Sequence, residues 1–504
     1  MIFIKRLPTP EAFFIFALLQ ALKKIQAFFR DHYKVDLRAL ALMRITIGSV
    51  VLCDIIIRAA SLTAHYTQEG VLPVSLLLEF DSKPLRWSFH YLNDTFSYEA
   101  FLFFLHGLIT LFLIAGYRTR LFTILSWVFL VSLQNRNPFI QQSGDDLLRL
   151  VLFWGMFLPW GKFYSFDAKR NPETHKNYFS LSSLGYLLLI VSVYLFSAIQ
   201  KTSPEWRTEG TALYYALSLD QLKVGLGDWL YKFPVLMKLL TFLIFYYFEL
   251  LVPLFLLLPF TTKKFRALIV FSVIILHLGI SLTIYVGLFF AIGIASSLGL
   301  LPSTIMDKFD ALVKSNKIIT SDGYYKNKLS YGLKIGVNSF LAVIIGFCLI
   351  FNLGYIPSFR YALDDRTAYF TNALKLEQYW GMFSPHIYKT DGWYIYRGIK
   401  KNDSIWDIYN NKPGLDYTKP KDVDKMYTSD RWRKFAENYQ NNQYNFMRPY
   451  YCRYLIREWN KKHPENKIAG LNIIFLLEES LPDYKTAPIK EQNTCLCYDD
   501  EFTK

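Results

Sequence analysis

Ionisable residues set into long apolar stretches are the first sign of chemistry in this chain. Arg44, Asp54, Arg58, His106, Arg149, Glu249 and His277 lie inside or at the ends of such stretches. A charge in hydrocarbon costs several kcal/mol unless it is paired or hydrated, so each of these is a functional-site candidate by default. In Gln134–Arg149 (QNRNPFIQQSGDDLLR), Asp145 and Asp146 open a helix, where the dipole favours a carboxylate. Arg149 stands four residues after Asp145, the spacing of a pair on one helical face. That pattern suits a polar acid–base site at the mouth of a bundle, and equally an N-cap with a salt bridge. Asp54 and Arg58 repeat the spacing inside the first apolar stretch, as a site or as an internal pair tying helices together. Lys201, Trp206 and Glu209 follow the fifth stretch, where Lys and Trp also serve as interfacial anchors. Glu249 and His277 lie in the sixth and seventh stretches. The His reads as a hydrogen-bonded core residue, whereas a Glu deep in an apolar run demands a polar partner. There is no Walker loop, HExxH, GxSxG or paired CxxC, so hydrolase, ATPase and zinc-protease readings have no support.

The elements that must position these groups are membrane spans. Of 504 residues 52% are hydrophobic and 19% charged, and the long apolar runs stop near Leu353. Stretches at 39–60, 98–116, 119–135, 146–161, 181–200, 236–260, 266–283, 286–302 and 332–353 predict nine spans, against a requirement of about 20 apolar residues each. The stretch from Arg266 to Pro302 is too long for one span and needs a turn, placed at Gly287. Residues 11–30 separate Gln20, Lys23, Lys24, Ala27 and Arg30 from Phe14, Leu18, Ala21, Ile25 and Phe28, the pattern of an interfacial helix, and no cleavable signal peptide stands out. Basic residues recur in alternate loops: Arg118 and Arg120; Lys162, Lys169, Arg170 and Lys176; Lys263, Lys264 and Arg266; Lys308, Lys314, Lys317, Lys326 and Lys328. By the positive-inside rule the N-terminus is cytoplasmic and the tail outside. The expected fold is an all-α polytopic membrane bundle of about nine transmembrane helices, followed by an extracytoplasmic α+β domain. Its divisions are 1–34 amphipathic, 35–355 membrane domain and 356–504 soluble domain.

The net charge of +15 belongs to those loops. No basic stripe with interleaved aromatics is present, so the partner is the lipid bilayer and not nucleic acid. No inverted half-repeat points to a transporter. In the tail, Trp393–Ile399 and Ser404–Tyr409 predict a hairpin. Ser429 predicts a helix cap, a second helix runs from Met447 to Trp459, and Leu471–Leu477 is a strand. In an oxidising exterior Cys452 can pair with Cys495 or Cys497; with no His near the C-x-C, a bridge or a mobile end is expected there before a metal.

Between Val35 and Glu479 the chain resembles the HTTM family of polytopic proteins, which includes the vitamin K-dependent gamma-carboxylase. The resemblance rests on RALALMRITIGSVVLCDIIIR with YTQEGVLP, NRNPFIQQSGDDLLRL, VYLFSAIQKTSPEWRTEG, HLGISLTIYVGLF, and the tail segments YWGMFSP, DGWY and SDRW. It implies a reduced vitamin K or menaquinone-like quinone as cofactor, a lysine amine that deprotonates it, and a peptide glutamate as substrate, with oxygen and carbon dioxide consumed. In this alignment Arg136 stands nearest the family's base lysine, and a guanidinium stays protonated. Lys201 and Trp206 match a Lys and a Trp, and His277 matches a histidine before a span hairpin. The expected site is therefore the bundle mouth: Lys201, Asp145, Asp146, Arg136 and His277 in catalysis, with Glu249, Trp206, Arg149, Asp54 and Arg58 binding substrate. Arg136 would clamp an anion or carbonyl. The other expectation is a non-enzymatic maturation, export or partner-binding factor, whose tail would work through residues such as Trp380, Trp393 and Trp432.

Overall fold

The apolar stretches become helices because, in hydrocarbon, only a helix satisfies its own N–H and C=O groups. A computed structural model describes residues 10–499 apart from 82, 259–261, 314–320, 328–329, 357–358 and 360–364, leaving aside the side chains of 10–19, 21–22, 365–368 and 370. The predicted faces at Phe14, Leu18 and Ala21, and the loop charges Lys314, Lys317 and Lys328, lie outside what is described. Residues Pro10–Tyr33 are helical.

Among the described residues six helices are long and apolar enough to cross a membrane: Leu37–Ala59, Phe96–Ala115, Leu181–Gln200, Pro234–Leu257, Lys263–Thr283 and Tyr331–Gly354. A bent pair, Phe289–Leu300 with Ser303–Leu312 at 105°, would make seven. The remaining two predicted spans are helices of another kind. Thr119–Arg136 ends in Gln134, Asn135 and Arg136, all buried. Ser143–Gly155 has 13 residues, about 20 Å of rise against a hydrocarbon core of about 30 Å. It is wrapped by protein on nearly every side, so neighbouring helices do for it what lipid does for a longer span. The turn before the bent pair falls at Gly287, with φ +59°, and a Cβ there would lie 2.6 Å from an Asp430 carboxylate oxygen. Both facts require glycine.

Polar contacts sort the loops to two ends. At one end β1 (Val35–Asp36), β2 (His175–Tyr178) and β3 (Ser321–Tyr324) form a small sheet, Asp167 accepts from the Arg118 and Thr119 N–H groups, and Arg266 donates to the Lys34 carbonyl. The basic loops thus share one end. The tail occupies the other: Trp87 donates to the Ala373 carbonyl, Trp206 to that of Phe383, and Arg431 to that of Ile140.

The tail is a five-stranded sheet in the order β6-β5-β4-β7-β8, with β4 Thr390–Ile399, β5 Ile405–Asp407, β6 Lys412–Pro413, β7 Gly470–Glu479 and β8 Lys490–Tyr498. The predicted hairpin is β4–β5, turning where Asp403 takes φ +61°. Alternation along β4 and β7 serves two cores. Trp393, Ile395, Ile474 and Leu476 close one face with Val423. Tyr394 and Phe475 meet on the other at 4.9 Å between ring centres. Helices Asp430–Gln440 and Arg448–Lys462 follow the predicted positions, but the Ser429 hydroxyl makes no cap bond. Instead the Asp430 N–H donates to the Tyr285 hydroxyl of the bundle, so that helix start is used for docking. Trp380 and Trp393 are fully buried, and Trp432 donates to Ser61 and packs on His65. These three are core and docking residues.

Cys452 is bridged to Cys497, and Cys495 is free. Non-reducing peptide mapping should find Cys452 linked to Cys497 alone. Cys452→Ser should lower the tail's unfolding free energy by about 4 kcal/mol, the chain-entropy value for a loop of this size, read by denaturant titration.

Candidate functional site

The helix Leu181–Gln200 sets the site. Tyr194, Ser197 and Lys201 follow one another at spacings of three and four, so they share one face. The Lys201 ammonium, just past the last residue of that helix, donates to the Ser197 hydroxyl at 2.7 Å and to both Glu249 carboxylate oxygens at 2.8 and 2.7 Å. Its Nζ lies 4.7 Å from the centre of a Trp206 ring. Lys201 is 2% exposed. Burial, acting against the pull of Glu249, draws the ammonium below its ordinary range.

Glu249 reaches this point because its helix widens. Leu243–Leu251 is a π-helical run inside Pro234–Leu257. Pro253 has no N–H to give the Glu249 carbonyl four residues back, and the Val252 N–H goes to Tyr247. Such wide turns recur at functional sites. Around the pair, Ala198, Trp206, Phe245 and Ile387 form an apolar cluster. Its Ile387 comes from the tail, so the site lies where bundle and tail meet. Arg207 ties the adjacent backbone by donating to the Lys201 carbonyl at 2.8 Å, and Glu205 pairs with Lys389 of the tail at 2.9 Å.

His277 is not a partner of Glu249. Its Nε2 meets the Tyr194 hydroxyl at 2.8 Å, and its Nδ1 has no partner among the described residues. The ring lies over Gly293, where any Cβ would come within 2.1 Å of it. Glu209 also lies apart, exposed and bonded to Thr211.

The other expected site residues separate into three structural knots. Asp54 binds Arg58 at 2.8 Å as the spacing required, but both then meet partners that no local pattern announces. Asp145 accepts from Arg58 at 2.6 Å, and Arg431 of the tail bridges Asp54 and Asp145, each at 2.6 Å. Two cations and two anions close a buried, neutral ring. Burial alone would lower Arg431; Asp145 and Asp54 more than offset it and hold the guanidinium well above its ordinary range. The expected Asp145–Arg149 pair is absent, because Asp145 turns toward Arg58 while capping its own helix through the Gln142 N–H. Arg149 pairs with Asp146 at 2.9 Å and also holds Gln134 and the carbonyls of Lys375 and Glu377. Arg136 donates to the carbonyls of Leu72 and Tyr66, each at 2.8 Å; it anchors a loop and is no anion clamp. The single bundle mouth expected from sequence is therefore corrected to one amine–carboxylate site and three knots.

Sequence reasoning missed Ser197, Tyr194 and Arg431. The first two carry a signal, their helical spacing from Lys201. Arg431 carries none, since its partners lie more than 280 positions away. With this geometry in hand, comparison with known proteins finds no matching family model, curated protein or solved structure.

One acidic group at the tail's docking face titrates unusually. Asp391 accepts from the Asp220 N–H at 2.6 Å, while its other oxygen has no partner among the described residues. Burial first, and then the neighbouring Asp220 charge, push its pKa up to about 7. The folded state therefore keeps a proton that the unfolded chain gives up near pH 4. Stability present below that pH is lost as pH rises towards 7, with the loss complete above it. Asp391→Asn should remove this loss, raising stability at pH 8 by about 2–4 kcal/mol relative to the native chain and little at pH 4, as read from melts at both pH values. Arg431→Gln leaves two carboxylates facing one cation and should cost about 3–5 kcal/mol; proteolysis of the tail in intact protein measures the undocking.

Proposed function

We propose that this chain is a carboxylase-like membrane protein of the HTTM type, with nine crossings, a cytoplasmic N-terminus and an extracytoplasmic tail. It acts on a peptide or a lipid-soluble, quinone-like substrate. Gathering of the basic loops at the end opposite the tail supports that orientation, and burial among neighbours lets the short Ser143–Gly155 helix serve as a crossing.

The observation that carries the chemical reading is the buried Lys201–Glu249 pair beside Trp206. A buried ammonium facing a carboxylate can pass its proton across and stand as a neutral amine, the form that acts as a base. With that first proton resting on Glu249, Lys201 Nζ takes a hydroxyl proton and becomes an ammonium again, and Ser197 holds the nitrogen on its helix. Trp206 and Phe245 offer apolar faces suited to a planar ring, and the tail's Ile387 helps keep water out. These residues fit a reduced quinone, which when bound supplies the oxygen-dependent route to a strong base. Arg136 has no part in this step.

A second reading, a non-enzymatic maturation, export or partner-binding factor, is favoured by one fact. Asp54, Asp145, Asp146 and Arg149 are all spent in structural pairs, which leaves a single amine for chemistry.

Purified protein in lipid, given reduced menaquinone or vitamin K with oxygen and bicarbonate, should form quinone epoxide, followed by mass spectrometry. Lys201→Ala should cut the rate by about 10²–10⁴-fold, while Arg136→Lys leaves the rate per folded molecule unchanged. Absence of epoxide from the native chain would sink the enzymatic reading in favour of the second.

A further inference from the structure

At the basic end, far from Lys201, a pocket of about 270 Å³ opens between the end of the Pro10–Tyr33 helix, the start of Leu37–Ala59, the start of Lys263–Thr283 and the bend at Leu301–Ser303. Lys34, Lys263 and Arg266 line it. None of the three has an ion-pair partner among the described residues. The contrast with Arg38 is sharp: that guanidinium, at the same end, takes three carboxylates, from Asp36, Asp307 and Asp310. The two acids lining the pocket are committed elsewhere. Asp36 is held by Arg38, and Asp31 by Arg30 and the Tyr324 hydroxyl.

Arg266 is the decisive group. Its Nη1 donates to the Lys34 carbonyl at 2.7 Å, while Nε and Nη2 are buried and donate to nothing among the described residues. A buried guanidinium with two idle N–H groups and no carboxylate calls for an anion. Lys34 reports the same deficit: burial first, then Lys263 and Arg30, hold its ammonium below the ordinary range, against Asp31 and Asp322. The long Lys263–Thr283 helix adds a positive N-terminus at the rim. Exposed Ile25, Phe28 and Phe29 lie on the helix leading into the pocket, which places an apolar surface beside it.

We propose that this pocket binds a phosphate-bearing anion, held by Arg266 with Lys34 and Lys263. The volume falls a little short of the roughly 300–1,000 Å³ of small-molecule pockets, enough for a phosphate and its attached glycerol but not a whole lipid. The same chemistry is offered by an anionic phospholipid headgroup and by free phosphate. The site stands independently of the Lys201 reading.

The test uses full-length protein stripped of lipid in detergent, with thermal unfolding read against dioctanoyl phosphatidylglycerol, inorganic phosphate and dioctanoylglycerol. Phosphatidylglycerol should raise the midpoint by at least about 2 °C, and the shift should vanish in Arg266→Gln. Because Arg266 also holds backbone, the paired variant Lys34→Ala with Lys263→Ala serves as the second arm and should lose most of the shift. An equal shift with inorganic phosphate assigns the site to the free anion, and a larger one with the lipid assigns it to the headgroup. No shift with either phosphate source, the same shift with dioctanoylglycerol, or an unchanged shift in the paired variant would overturn the proposal.

Discussion

Arg431 inserts a guanidinium between Asp54 and Asp145, and Arg58 closes the ring from the opposite side. No member of this ring can be satisfied alone. Arg58 and Asp54 share one helix turn, yet Asp145 comes from a helix too short to hold itself in lipid, and Arg431 from the sheet-containing tail. Replacing such a ring wholesale with apolar side chains is often neutral, whereas removing one member strands a charge. Its value lies in register. The ring closes only when the Asp430–Gln440 helix sits where Gly287 lets Asp430 approach the bundle and Asn438 reaches the Phe139 carbonyl at 2.6 Å.

That register carries through to the amine site. The tail segment from Phe383 to Lys389 covers Trp206 and Glu205, and it can do so only while the tail is docked. The Arg149 knot works in the same sense, gripping the backbone at Lys375 and Glu377 as the chain enters the tail. Charges that look catalytic in sequence thus position the protein that encloses Lys201. The arrangement spends three carboxylates and four guanidiniums on geometry, counting Arg136, and leaves one amine–carboxylate pair in contact with an apolar cluster. That pair is buried away from water and held by direct hydrogen bonds from the Lys201 ammonium to both Glu249 oxygens.

Much of this was legible in sequence where the relevant interactions are local. Apolar length announced the helices, and basic loops recurring in alternation announced which of them share an end. Asp54–Arg58 followed from i,i+4 spacing, and the tail hairpin from its turn residues. The failures have one physical source. A spacing rule names the groups that can meet on one helix, but it is blind to a better partner arriving from elsewhere. Asp145 had two cations available across space and abandoned Arg149 for them. Length and composition single out six helices and one bent pair among the described residues, because that criterion assumes that lipid buries each helix. Ser143–Gly155 is buried by protein, which tolerates a shorter and more polar segment. Trp380 and Trp393 are core residues, and an aromatic in the tail looks the same in sequence whether it faces a partner or a core.

Glu249 illustrates what a sequence conceals even when it supplies every part. A lone Glu in an apolar run was recognisable as needing a partner, and Lys201 was recognisable as an amine near an interface. Glu249 lies in the wide turn at Leu243–Leu251, which runs up to the helix turn holding Pro253, a residue with no N–H to give the Glu249 carbonyl. With the π turn, Phe245 joins the apolar cluster while Glu249 points to Lys201. A proline that withholds an N–H thus stands four residues from the carboxylate that meets Lys201.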